Sequence, residues 1–325
     1  MRSILIILFF SYNLLWSSDA TMEVTKNVQQ SLPAMFIEDG SVSHNSISDS
    51  MHKMLLADMN VVSLFSLNPM YVQKDFNAPV ANNGSQIPQY TLRYRLATDG
   101  SGQVHADIKL IRNADIAFEK SYILNQQEML VLLSHTIAFD INKALGGAPM
   151  DWLKRKVLFV RMSGQRRSEI VVSDYTLTYQ KVLANGGMYD FARWANREQT
   201  AFYYTSLSEF RPTIYKMNLQ NGQKEKVISA DGMAVCSDVS EDGKNLLLTL
   251  APEGQPEIYM YDLSDGSKKR LTEYSGIDVN GQFVGSDSIA FVSDRMGPPN
   301  VFIKSLTTNI IKPLVFSGRN NTSVS

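Results

Sequence analysis

Four segments of the chain carry nearly the same residue pattern at an almost constant distance from one another. They begin at Ile170, Ile214, Ile258 and Val301, so their spacings are 44, 44 and 43 residues. Their apolar residues alternate as in a strand, and no three-and-four spacing indicates a helix. A constant period of this length, built from strands, is typical of a β-propeller. Propellers usually present loops from a rigid scaffold, so the repeat points to binding before catalysis.

Each repeat contains the same succession of short strands and turns. An apolar run comes first, and the four runs begin at Val157, Ala201, Leu246 and Ile289. A polar turn, the alternating strand, a tight turn and a fourth short strand follow. After a loop, a further strand closes the unit, and its copies cover residues 191–194, 235–239 and 279–283. Four strands per repeat make one blade. The alternative is a β-sandwich, which would space its strands regularly without repeating their residues.

The tight turns place a glycine after Asn or Asp. The two dipeptides are Asn221-Gly222 and Asp265-Gly266. Such pairs favour positive φ at both central positions, so they predict two-residue type I′ hairpins.

The number of repeats predicts an unfinished ring over residues 151–325. Four copies of the two middle strands lie between Val157 and Val315, and the first copy lacks the strand that should precede it. The sequence ends where the next such strand is due. Rings of this kind have four to eight blades, and open sheet edges favour aggregation. We therefore expect a propeller truncated within a blade, about four blades of a larger ring, and poor solubility of the 325 residues alone.

The first 20 residues have the pattern of a secretion signal. Arg2 precedes a short apolar core over residues 4–10, and Ser18 and Ala20 occupy the −3 and −1 positions for cleavage after Ala20. The apolar stretch, which continues to Trp16, is shorter than the roughly 20 residues that cross a bilayer, so a secretion signal is favoured over a membrane anchor and we expect no membrane span after cleavage. Cys236, the single cysteine, allows no internal disulfide and is expected to be buried.

Residues 21–150 predict a small α+β domain with two helices on a short sheet. Helices are expected over 43–60 and 126–145, because apolar residues recur on one face of each. Strands are expected over 32–37, 90–96, 104–110 and 116–122. The pair Gly146-Gly147 is expected to cap the second helix.

No residue pattern predicts a catalytic, metal or cofactor site. The four histidines lack close metal-ligand spacing, and no Gly-x-Ser-x-Gly elbow or phosphate loop is present. His135 lies on an apolar helix, where a hydrogen-bonded packing role is favoured over that of a catalytic base. With 31 basic and 32 acidic residues the net charge is −1, which argues against nucleic acid as a partner.

The chain resembles the TolB family of the Tol-Pal envelope system along its whole length. The order of signal, α+β domain and propeller is similar, and so are several short motifs. These are His135-Thr136, Leu145-Gly146, Glu169-Ile170, Ser293-Asp294-Arg295 and Gly318-Arg319-Asn320. The resemblance implies six blades in the complete ring, a periplasmic location, and an adaptor without enzymatic activity.

The resemblance also implies two protein partners. Propeller loops over 230–234, 275–278 and 319–322 would bind the peptidoglycan-associated lipoprotein Pal. The segment 21–28 would bind TolA by its position after the signal. The contact residues expected from this placement are Gly232, Met233, Ile277, Asp278, Arg319, Asn320, Asn321, Thr21, Glu23 and Val24. The adaptor would serve envelope integrity and outer-membrane constriction at cell division.

Two other functions fit a propeller sequence. One is the propeller of a prolyl-peptidase-like serine hydrolase whose catalytic domain would follow Ser325; a downstream Gly-x-Ser-x-Gly segment would identify it. The other is a sugar- or ligand-binding propeller, which calorimetry with peptidoglycan fragments would test.

Overall fold

A five-stranded sheet with two helices forms the first part of the molecule. The structure, a computed structural model, describes residues 32–80, 88–124, 129–315 and 320–323. The strands are β1 (Ala34–Asp39), β2 (Ser66–Gln73), β3 (Tyr90–Thr98), β4 (Val104–Arg112) and β5 (Asp115–Leu124), and the helices are α1 (Ser46–Val62) and α2 (Leu130–Ala144). The sheet order is β2-β1-β3-β4-β5, with β1 parallel to both neighbours. The four predicted strands and both helices are present, and β2 is an addition.

Strand β2 was missed because its sequence does not alternate. It contains Asn68 and Pro69, and most of its residues are half-buried or exposed along the sheet edge. Proline cannot donate to a sheet ladder, so it marks an edge strand rather than a central one. Pairing with the buried β1 is what holds this segment extended.

Helix α1 packs on the sheet through the apolar face that its sequence predicts. Met51, Leu55 and Met59, four residues apart, have no exposed surface and contact the core that includes Leu92. The Oδ1 of Asn45 accepts hydrogen bonds from the first turn at 3.0 Å and so fixes the start of the helix.

The remaining strands form four successive antiparallel sheets. The first contains β6 (Val157–Gly164), β7 (Arg167–Ser173) and β8 (Gln180–Gly187). The second contains β9 (Tyr189–Trp194), β10 (Ala201–Ser206), β11 (Thr213–Asn218) and β12 (Lys224–Ser229). The third contains β13 (Ala234–Val239), β14 (Asn245–Leu250), β15 (Glu257–Asp262) and β16 (Lys268–Arg270). The fourth contains β17 (Asp278–Val284), β18 (Ser288–Ser293), β19 (Asn300–Ser305) and β20 (Ile311–Pro313).

Consecutive sheets pack against each other as the blades of a propeller. The leading strands β9, β13 and β17 contact one another in chain order. Buried side chains are shared between neighbouring sheets: Tyr203 of the second packs in one cluster with Leu246 and Leu248 of the third. Leu247 of the third packs with Phe291 of the fourth. The predicted fold class, an α+β domain followed by a β-propeller, is confirmed, and the sheets are called blades 1 to 4 below.

The strand that we expected to close each unit belongs to the next blade instead. Strand β9 pairs with β10, which follows it in the chain, and β13 and β17 pair likewise with β14 and β18. Each of these strands is therefore hydrogen-bonded to the apolar run that follows it in the chain. The sequence repeat gives the order of the strands but does not show which neighbours pair.

The hairpins between the third and fourth strands are not of the predicted type I′. Positive φ is confined to the glycines, at 68° for Gly222 and 73° for Gly266. The N–H of Gly222 donates to the carbonyl of Asn218 at 2.9 Å, four residues back, so the connection is longer than two residues. The Oδ1 of Asn218 accepts from Gln220 N–H at 2.8 Å. This side-chain turn favours right-handed backbone before the glycine and so excludes type I′.

Candidate protein-docking face

The loops that were predicted to bind a partner emerge at one end of the propeller. In an antiparallel four-stranded blade, the loop before the first strand and the loop between strands two and three lie at the same end. We call this end the upper face. Its loops in blades 2 to 4 cover residues 207–212, 230–233, 251–256, 271–277 and 294–299.

The loop 230–233 is exposed and depends on its glycine. Met233 is 39% exposed, and Gly232 adopts φ of 74°. A Cβ on Gly232 would lie 2.7 Å from the carbonyl oxygen of Ala251, which is too close for any other residue. The N–H of Ala251 donates to the carbonyl of Met233 at 3.1 Å. The chain thus holds both predicted contact residues at the surface in a defined conformation.

The loop 271–277 and its neighbour Asp278 divide into accessible and inaccessible parts. Asp278 is fully buried, and its carboxylate accepts two hydrogen bonds from Arg295 Nη2 at 2.7 and 3.0 Å. Burial raises the pKa of the Asp278 carboxyl above its ordinary value. Ile277 is half-buried, and its N–H donates to Asp294 Oδ1 at 2.9 Å. The side chain of Asp278 is therefore buried and holds the loop, whereas the prediction of a partner contact assumed that it is exposed.

The third predicted loop is described only in part. Arg319, Thr21, Glu23 and Val24 lie outside the described residues. Asn320 is exposed. The N–H of Asn321 donates to the carbonyl of Pro299 at 2.9 Å, as that of Asp278 does to Pro256 at 3.0 Å. Asn321 therefore takes up the next position of the repeat against blade 4.

Two exposed apolar side chains of the upper face were missed. Phe210 is 98% exposed in the loop 207–212, and Met296 is 71% exposed in the loop 294–299. A single apolar residue within a polar turn was the available sequence signal, but it does not show whether the side chain points into a core or into solvent.

A buried ionic cluster joins the α+β domain to blade 1 at the opposite end. His135 Nδ1 lies 2.9 Å from both carboxylate oxygens of Asp58, and its Nε2 lies 3.1 Å from Asp174 Oδ2. The Tyr175 hydroxyl donates to Asp58 at 2.8 Å, and its ring lies 4.5 Å from that of His135. Ser134 also donates to Asp58. His135 is a hydrogen-bonded packing residue, as predicted, but its two carboxylate partners were not foreseen.

The cluster favours a protonated imidazole. Burial lowers the pKa of His135, but the hydrogen bonds and negative charge of Asp58 and Asp174 outweigh this effect, so the pKa lies above the ordinary 6.5. Burial would raise the pKa of Asp174, yet hydrogen bonds from Thr176 and His135 hold it below its ordinary value. A protonated imidazole donates from one ring nitrogen to Asp58 and from the other to Asp174, so each buried carboxylate is paired with the same cation.

Other reactive groups are few in the described parts of the chain. Within these residues, no cluster of three or more His, Cys, Asp or Glu side chains could hold a metal ion. Their helices include none that is long and apolar enough to cross a membrane. Burial raises the pKa of the Cys236 thiol to about 12, so this cysteine is not a nucleophile at neutral pH.

Comparison with known proteins shows which family the chain belongs to. The model of the TolB beta propeller domain matches residues 149–325, more than half of the chain. The chain belongs to the TolB family. The "Tol-Pal system protein TolB" of Campylobacter jejuni strain RM1221 is 38% identical over 328 residues, covering 100% of this chain and 78% of the relative. The same-named protein of Wolinella succinogenes is 35% identical, covering 99% and 78%.

A solved structure of the TolB family shows the same fold. The crystal structure of TolB from Acinetobacter baumannii superimposes with a TM-score of 0.68 at 22% identity, covering 91% of this chain and 76% of that one. The family resemblance noted from the sequence is thus confirmed by relatives and by fold.

Proposed function

We propose that this TolB-family chain is a non-enzymatic docking protein of the Tol-Pal system in the periplasm. Its relatives are named Tol-Pal system proteins. The observation that carries the proposal is the upper face of the propeller, where exposed loops are held in place by buried contacts. Residues 1–20 would direct export, the α+β domain and propeller would act in the periplasm, and the protein would support envelope integrity and outer-membrane constriction at division.

The proposed partners bind at separate places. The peptidoglycan-associated lipoprotein Pal would bind the loops around Met233, Ile277 and Asn321. TolA would bind the segment 21–28, which includes Thr21, Glu23 and Val24. One chain would thereby link a lipoprotein to a second Tol protein.

Loop rigidity supports a docking role on physical grounds. Ordering a flexible loop on binding costs free energy, so a loop that is already ordered binds more tightly. Asp278 and Arg295 fix one loop through a buried ion pair, and Gly232 fixes another through its close approach to Ala251. Both arrangements position loops, which supports a docking role.

The lipoprotein site is tested by two matched substitutions. Met233 on the upper face is 39% exposed, and Val284, at the lower end of β17, is 41% exposed. We expect Met233→Arg to weaken binding of the lipid-free Pal domain by tenfold or more, since a charge would be buried at the interface. Val284→Arg should bind like the unchanged protein. Equal affinity of both variants in calorimetry would exclude the upper face as the site.

The TolA site is tested by removing residues 21–28 from the exported protein. The deletion should abolish TolA capture and preserve the affinity for the Pal domain, because the two sites are separate. A deletion variant that still captures TolA from envelope extract would refute this placement.

A further inference from the structure

Phe210 presents an entire aromatic ring to solvent at the tip of the loop 207–212. Its side chain is 98% exposed. Single exposed apolar residues are common on protein surfaces and carry no meaning alone. The position of Phe210 relative to the predicted contact loops is what distinguishes it.

A chain of three contacts links the loop of Phe210 to three further loops of the upper face, each contact joining one loop to the next. Arg211 Nε lies 2.8 Å from Asp231 Oδ1, which ties loop 207–212 to loop 230–233. The hydrogen bond from Ala251 N–H to the Met233 carbonyl joins the latter to loop 251–256. Gln255 Nε2 donates to the carbonyl of Gly276 at 2.8 Å and reaches loop 271–277. Four loops of blades 2 to 4 therefore form one continuous surface.

The exposed charge of this surface is mostly negative. Glu209, Glu253 and Glu273 are exposed on its loops. The positive charge of Arg211 is paired with Asp231. The exposed pair Arg166 and Arg167 belongs to the hairpin between β6 and β7 of blade 1, which lies at the same end of the propeller but outside these four loops.

We infer that Phe210 is the apolar anchor of the docking face and that its partner presents an apolar pocket bordered by Lys and Arg. The patch consists of Phe210, Met233, Glu209, Glu253 and Glu273. An aromatic ring buries a large area with little loss of conformational freedom, so such residues dominate binding when they enter a pocket. The three glutamates complement a basic border and disfavour acidic partners. This inference rests on the proposed docking of the peptidoglycan-associated lipoprotein.

The anchor is tested by calorimetry with the lipid-free Pal domain. We expect Phe210→Ala to weaken binding by tenfold or more, and Phe210→Trp to retain most of the affinity, because the pocket still receives an aromatic ring. The exposed Val284 at the lower end provides the control, and Val284→Ala should leave the affinity unchanged. Because Phe210 contacts so little of its own protein, thermal unfolding of Phe210→Ala should match the unchanged chain.

The basic border is tested by charge and salt. The double variant Glu253→Gln with Glu273→Gln should bind several-fold more weakly in low salt, and its affinity should depend less on ionic strength. Glu241 is exposed in the loop between β13 and β14 at the opposite end, so Glu241→Gln should change neither quantity.

The outcomes separate the inference from the proposed function. Pal binding that Phe210→Ala leaves unchanged would overturn the anchor and keep the docking function. A double glutamate variant with unchanged affinity and salt dependence would overturn the basic border. Failure of the unchanged protein to bind the Pal domain would overturn both the inference and the proposed function.

Discussion

Two glycines with similar backbone angles have very different surroundings in the propeller. Gly232 has φ of 74° and Gly222 has φ of 68°. A Cβ on Gly222 would meet nothing within 4 Å, whereas one on Gly232 would lie 2.7 Å from the backbone oxygen of Ala251. Left-handed backbone costs any L-residue about 1–2 kcal/mol, so both positions favour glycine. The steric conflict is specific to Gly232.

We expect Gly232→Ala to lower the free energy of unfolding by clearly more than Gly222→Ala does. Gly222→Ala should cost about 1 kcal/mol, the backbone term alone. Urea denaturation of both variants measures the difference. An equal loss would show that the loop around Gly232 moves freely away from Ala251.

His135 makes the stability of the molecule depend on pH. Its pKa is raised in the folded protein, because hydrogen bonds and charge from two carboxylates outweigh burial. The stability that it contributes is complete below the unfolded pKa of about 6.5 and is lost as pH rises through the folded value. We expect the free energy of unfolding to fall as pH increases above 6.5.

Urea denaturation at a series of pH values measures the contribution of His135 to the free energy of unfolding when the unchanged protein is compared with its variants. His135→Gln should remove the decline above pH 6.5 and lower stability by about 3–5 kcal/mol, because two buried carboxylates lose their cation. His105, half-exposed at 3.2 Å from Asp99, provides the control. If the decline in the free energy of unfolding persisted in His135→Gln and disappeared in His105→Gln, it would come from His105 and not from the buried cluster of His135.

At the scale of elements, one carboxylate connects the leading strands of three blades. Asp238 on β13 accepts from Arg193 Nη2 of β9 at 2.7 Å and from the N–H of Phe283 on β17 at 2.8 Å. The positions are 45 residues apart on either side. The repeat therefore places these groups at equivalent positions of three successive leading strands, where they meet.

We expect Asp238→Ala to lower the free energy of unfolding by about 2 kcal/mol, since a charged hydrogen bond is lost and a backbone donor loses its acceptor. Arg197 and Glu241 form a second pair between blades 2 and 3, at 2.7 Å, with side chains 74% and 81% exposed. Glu241→Ala should leave stability unchanged within error, because solvent screens an exposed pair. Similar losses in thermal or urea unfolding would contradict the role of burial.

Elements differed in how far local sequence predicted them. The repeated strands and the two helices follow from apolar periodicity, which depends only on neighbouring residues. Strand β2 did not, since it is held by pairing with β1. The predicted type of the hairpin at Gly222 was wrong, because the side chain of Asn218 stabilises a longer turn. Local signals therefore located the turns but did not determine their geometry.

At the scale of the whole molecule, Tyr175 is shared between the α+β domain and the propeller. Its hydroxyl donates to Asp58 of α1, its ring contacts His135 of α2, and Trp152 packs against it at 5.2 Å. A contact that satisfies buried polar groups on both sides couples the unfolding of the two parts.

We expect Tyr175→Ala to split thermal unfolding into two calorimetric transitions, because the α+β domain loses one of its two buried polar links to blade 1 and keeps only the pair of His135 with Asp174. Phe210→Ala removes a ring that is free in solvent and should keep a single transition. A single transition in Tyr175→Ala, merely shifted in temperature, would show that other contacts couple the two parts.

Much of this protein follows from the sequence alone. The period of 43 or 44 residues predicted repeated blades, although it did not show which strands pair within each blade. The apolar helix around His135 indicated a buried imidazole, and the motifs indicated the family.

Only the tertiary structure decided which residues meet and which remain exposed. Asp58 and Asp174 lie 77 and 39 residues from His135 in the chain, a separation that no local pattern spans. Asp278 at the start of β17 is buried and paired with Arg295, whereas Phe210 in the loop 207–212 faces solvent, although both lie next to polar turn residues. Burial depends on how segments that are distant in the chain pack together, so only the tertiary structure determines it.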